Sequence, residues 1–407
     1  MSALSAVNRL SLRQLGAAPH RLLFFIGASN LLLAMLWWAG WLFAQRTGWA
    51  MPNPALPAGW LHAYVMQYQM LPSFIFGFLL TVFPRWMGLP ELQRWRYVPV
   101  GIGLAGGQIA SLLGAIGWEA GLIVGWLMTV AGWLAGLSTL APLLWREAGS
   151  TWHARSCFAA LVCGFLGLLC LGIYGYSESA LWLFASIKIG SFGLLLPMYL
   201  TVAHRMFPFF AGHVVPGYVV WRPLWLLALF WGLCLTHLAL ELVHAYHWLW
   251  ASDLPLLVLS VTLYWRWWPR GAKPALLSVL FLALGWLPIS FALYSLQSIS
   301  YLLSGVFWLG RAPAHALFIG FFGSVLIAMV TRVTQGHSGQ PLSMPRVAWF
   351  AFAAIQVVAL MRIAAELVKD GALWQALAAL GWLIALGPWV AWLGITYLRA
   401  RVDGKAG

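Results

Sequence analysis

Apolar runs of about 20 residues, each long enough to cross the ~30 Å hydrocarbon layer as a helix, recur along this entire 407-residue chain. Inside lipid every backbone polar group must find a partner within the protein, which leaves helices and closed barrels. Barrel strands alternate apolar and polar residues, and no such alternation occurs here. The expected class is an all-α polytopic membrane helix bundle of about twelve transmembrane helices, forming one integral domain over residues 1–407. Only 8% of the residues are charged, against roughly a quarter in soluble domains.

The predicted spans are Leu22–Ala44, Trp60–Phe83, Tyr97–Ile116, Gly121–Leu144, Ser156–Tyr174, Ser179–Val202, Leu224–Val243, Trp248–Tyr264, Ala275–Leu296, Ala314–Thr331, Val347–Val368 and Leu373–Leu398. This frame sorts the net charge of +14 by side of the membrane. Eighteen Arg and Lys residues, from Arg9 to Lys405, fall on the side of the N-terminus, against Arg46, Arg311 and Lys369 on the other. Cationic loops stay in the cytoplasm, so both termini are expected inside. Positive charge is thereby explained without a nucleic-acid partner. The first apolar run is too long for a cleavable signal and lacks a close small-residue cleavage site.

Many of the 28 tryptophans sit near span ends, as at Trp37, Trp38, Trp248, Trp250, Trp267 and Trp268, in the manner of an interfacial belt. Glycines spaced four apart, Gly117-Gly121-Gly125 and Gly132-Gly136, predict close helix contact in the third and fourth spans. Cys157, Cys163, Cys170 and Cys234 lie within spans without CxxC spacing and are expected to be packing residues.

Ionisable groups at membrane depth are costly and so mark candidate sites. At 1.5 Å rise per residue, His62, His237 and His315 fall in the outer halves of three different spans, and Glu241 and His244 are expected on the face of His237. On the inner side lie His20, His204, His213 and His337. Haem iron takes axial imidazoles from different helices of a bundle, which suits His62, His237 and His315, with Glu241 or His237 as a distal proton-handling, candidate catalytic group. Copper accepts imidazole and thioether ligands, which suits His204, His213 and His337 as metal ligands near Met206. The competing account is that each imidazole only hydrogen-bonds at the interface. Lys188 falls near mid-membrane without an evident partner, while Arg362 and Glu366, one turn apart, are expected to pair; Arg362 could instead hold a haem propionate.

The segment "HALFIGFFGSVLIAMVTRVTQGHSGQPL", His315–Leu342, resembles the C-terminal signature of the NnrS family: a His-Ala-Leu helix start, a Thr-Arg-Val-Thr turn and Gly-His-Ser-Gly. "APHRLLFF" (Ala18–Phe25), "LHAYVMQYQMLPSFIFGFLLTVFPRW" (Leu61–Trp86) and the loop "HRMFPFF" (His204–Phe210) resemble further family elements in order. Relatives carry His-x-His-Glu-Met where this chain has Tyr64 and Val65, and a ninth-span histidine where it has Phe281. The resemblance implies a bacterial inner (cytoplasmic) membrane protein with haem, b-type, and copper, acting on or binding nitric oxide in nitrosative-stress defence or denitrification. It matches His20, His62, His315, His337, Arg205 and Arg332 to family positions. A haem-dependent oxidoreductase exchanging electrons with quinone or a respiratory-chain donor is one form of that activity. A twelve-span secondary transporter and an assembly partner of respiratory enzymes are the alternatives.

Overall fold

The computed structural model describes residues 10–147, 149 and 151–403, so Arg9 and Lys405 lie outside the described residues. Among these the regular structure is all helix, without strands, and twelve helices are long and apolar enough to cross a membrane. They are Pro19–Thr47, Ala58–Trp86, Val98–Ala115, Gly121–Arg146, Trp152–Ser177, Ala180–Val214, Trp225–Leu242, Tyr246–Trp267, Ala275–Ser304, Ala312–Ser338, Arg346–Ala364 and Gly371–Leu398. Every expected span is present.

Helices outrun the sequence reading at their charged ends. The sixth span continues past Val202 to Val214, through Arg205 and Pro208, so "HRMFPFF" is helical rather than a loop. The tenth continues past Thr331 to Ser338, so the Thr-Arg-Val-Thr segment and His337 are helical too. A cation does not end a helix, and Pro208 removes only one intrahelical bond. The tenth span stops at Gly339 in the left-handed region (φ 73°), whereas the sixth ends where Val215 turns extended (φ −112°, ψ 113°). The seventh span ends earlier than expected, at Leu242, and His244 adopts φ 56° beyond it.

Contacts divide the chain into two compact units. The first comprises Met1–Gly190, Val333–Pro341 and Leu386–Gly407; the second comprises Ser191–Arg332 and Leu342–Ala385. In the first, the third and fourth spans meet along small residues. A Cβ on Gly125 would lie 2.7 Å from the Gly107 carbonyl, and one on Gly132 would lie 3.0 Å from Gly103 Cα. Backbone cannot yield at such distances, so glycine is required. Gly117 forms a turn (φ 119°) and Gly136 abuts Phe76 instead. In the second unit, the buried Phe281 packs against Phe207 and Trp268 at 5.8 and 6.1 Å, enclosed by apolar rings.

The second, sixth and tenth spans are the most enclosed, with 89, 67 and 78% of their most apolar stretch buried. Each is interrupted by a π-helical segment, Val65–Met70, Ile189–Leu195 and Ala316–Gly323 respectively. In two of them a proline follows, Pro72 and Pro197, whose missing N–H weakens the α pattern. His62, Lys188 and His315 each stand within one turn before such a segment. Single π turns inside α-helices gather at functional sites.

Candidate functional site

The first unit brings two imidazoles together. His20 follows Pro19 at the start of the first span and is only 2% exposed. His337 stands in the last turn of the tenth span. Their ring centroids are 4.3 Å apart with a 41° tilt. Arg21, also buried, donates to the Tyr397 carbonyl at 2.9 Å and to the Arg399 carbonyl, while Thr334 contacts the Tyr397 hydroxyl. Val402 N–H donates to the Ser338 carbonyl at 3.0 Å. These bonds hold the ends of the first, tenth and twelfth spans around the pair.

Arg85 Nη1 lies 3.4 Å from His337 Nε2 and pairs with Glu91 at 3.0 Å. An arginine can only donate, so His337 presents its Nε2 lone pair there. His20 Nδ1 is buried without a hydrogen-bond partner. An orphaned buried imidazole nitrogen is costly, and a metal ligand would relieve the cost. The rings stand too close to flank a porphyrin plane and suit one small ion. Among the described residues no three His, Cys, Asp or Glu side chains converge as a metal site would, so the pair would need further donors of another kind.

The second unit holds a buried acid–base cluster. His237, wholly buried, approaches Asp253 Oδ1 through Nδ1 at 2.7 Å and Ser252 Oγ at 3.5 Å. Its Nε2 lies 3.6 Å from Glu241 Oε2, within ion-pair range but beyond a hydrogen bond. Phe192 stacks on the ring at 3.8 Å and Tyr294 meets it edge-on at 5.5 Å. Glu241 leaves no space at Nε2 for a porphyrin, so as placed His237 does not fit the axial-ligand expectation. Both ring nitrogens face carboxylates, which is an arrangement for holding a proton. His244 is not part of the cluster: lying beyond the helix end, it is exposed and bonds Tyr246 at 2.6 Å.

The remaining predicted residues are dispersed. His62 lies flat on Trp38 at 4.6 Å, and Trp38 on Trp41 at 5.5 Å. His315 Nδ1 donates to the Arg311 carbonyl at 2.9 Å, which puts the proton on Nδ1 and the lone pair on Nε2. His204 is buried with Nε2 donating to the Pro223 carbonyl at 3.1 Å, whereas His213 is exposed, bonded to the Phe209 carbonyl at 2.8 Å. The expected inner group therefore divides, with His20 and His337 in the first unit and His204 and His213 in the second. Arg362 pairs with Glu366 at 2.5 Å, as its spacing predicts. Lys188 Nζ stands 5.3 Å over the Phe184 ring.

The sequence profile of the NnrS proteins matches residues 14–401. The chain belongs to the NnrS family. Comparison with curated proteins gives no match. With its twelve span-length helices, this NnrS protein is a multi-pass membrane protein. Of the residues carried from the family motifs, His20 and His337 touch, and Arg332 lies over the Phe210 ring at 3.9 Å. Asp253 is the site residue that sequence reasoning missed. It is the one carboxylate within its span, and that isolation was the available signal.

Proposed function

We propose that this NnrS protein is a haem-bearing protein of the bacterial inner membrane that binds or transforms nitric oxide, with a copper ion held at the His20–His337 pair. The observation that carries the metal is the buried, unpartnered His20 Nδ1 in contact with His337. His315, whose Nδ1 is tied to a carbonyl so that Nε2 keeps its lone pair, is an imidazole that would hold haem, and His62, in the other unit, is a separate candidate for the same role. Haem held there would supply the chemistry of binding nitric oxide directly. The chain itself supplies proton handling: Asp253 orients His237, and Glu241 stands within a proton's reach of Nε2 through one small shift. Quinone or a respiratory-chain donor would supply electrons.

Metal analysis and a visible spectrum test this reading together. Wild-type protein should show a Soret band that shifts on reduction and again with nitric oxide. His315→Ala or His62→Ala should abolish or shift that band, while His20→Ala and His337→Ala should weaken copper retention at least ~10-fold. A colourless, copper-free preparation overturns the proposal. It would favour proton-coupled transport, for which the buried His237–Asp253–Glu241 cluster is the supporting feature.

A further inference from the structure

Where the sixth and eighth spans end, the second unit opens a pocket of about 360 Å³. Its wall is the segment 215–219 with Trp265, Arg266, Trp268 and Arg270. The pocket is built rather than accidental. Gly217 and Gly271 turn the two flanking loops in left-handed conformations, φ 72° and 93°. Tyr218 donates its hydroxyl to the Trp267 carbonyl at 2.9 Å, and Trp267 Nε1 donates to the Trp221 carbonyl at 2.8 Å. The loops are thus tied to one another and to the buried Trp267.

The Arg266 guanidinium stands over two indoles, Trp221 at 5.6 Å and Trp265 at 5.1 Å. Stacking fixes its plane and leaves the N–H edge free to bond two oxygens of one oxyanion, as a guanidinium does with phosphate. Arg222, which donates to the Arg205 carbonyl at 3.2 Å, and Lys273, 4.7 Å over Trp268, add charge at the same end. Among the described residues none of these cations is in an ion pair. Between Glu178 and Glu366 the chain has only two acids, Glu241 and Asp253. Both are buried at the far ends of their spans, with Asp253 roughly 20 Å of helix from Arg266. In the pocket wall Val219 and Trp265 are exposed by 81 and 60%, an apolar and indole rim of the kind that sits at a membrane interface.

We propose that this pocket binds the phosphate of an anionic glycerophospholipid, with the headgroup against Arg266 and Arg270 and the acyl chains along the exposed rim. Guanidinium suits the phosphate, tryptophan suits the glycerol level and the apolar rim suits the chains. No soluble anion needs the last two. The proposal is independent of the haem and copper reading.

Native mass spectrometry of the full chain in detergent tests it, with phosphatidylglycerol, phosphatidylcholine or inorganic phosphate added separately. Retention of phosphatidylglycerol should exceed that of phosphatidylcholine on the order of 10-fold, and inorganic phosphate should not compete at equal concentration. The Arg266→Gln/Arg270→Gln variant should lose that preference. Arg266→Lys/Arg270→Lys should keep part of it, and Arg146→Gln, an exposed cation in the other unit, should keep all of it. Equal retention of the two lipids by the wild type overturns the proposal even if no variant folds. So does competition by inorganic phosphate, which would make the ligand a soluble anion, or an equal loss in Arg146→Gln, which would make the effect one of bulk charge.

Discussion

Asp253 and His237 meet at 2.7 Å with the imidazole wholly out of solvent. Removing one member of such a pair leaves an uncompensated charge and costs about 3–5 kcal/mol, whereas replacing both members by apolar groups is often close to neutral. Asp253→Leu should therefore lower the melting temperature more than His237→Leu/Asp253→Leu does, and a double-mutant cycle by thermal unfolding in detergent measures the coupling. Additive effects would show that the two side chains do not act as a unit. Spacing alone could place His237 with Glu241, four residues on along one helix face. It could not place Asp253, because that contact joins two helices and depends on how they pack. The same limit explains the pairing of His20 with His337, which are 317 positions apart (337 − 20). By contrast Arg362–Glu366, a pair within a single turn, was legible at once.

At the scale of elements, the existence of each span followed from apolar length, and only the ends moved. Arginines and a proline suggested loops after Val202 and Thr331, yet both helices run on. A long cationic side chain can reach the interface from within a helix, so charge marks the membrane edge rather than the helix edge. The π segments were not legible at all, since one added residue per turn leaves the apolar count unchanged. Their consequence is rotational. Deleting Phe318 from Ala316–Gly323 should restore α pitch and turn the rest of the tenth span by ~100°. His337 would then leave His20, and copper retention should fall as far as in His337→Ala, measured by metal analysis on monodisperse protein. Unchanged copper would show that the π segment does not set the register of the site.

For the molecule as a whole, the even number of spans and the eighteen-to-three partition of cations make one prediction. Reporters fused to either terminus should register as cytoplasmic: green fluorescent protein bright, alkaline phosphatase inactive. A periplasmic C-terminus would mean that one of the twelve helices does not cross. Class, span count and expected orientation were set by the sequence by itself, because a bilayer imposes length and polarity on each segment separately. Which imidazoles touch, which carboxylates enclose His237 and where the arginine pocket opens were decided only by tertiary structure. Those arrangements depend on helix rotation and on contacts between segments far apart in the chain, and no periodicity within one segment encodes them.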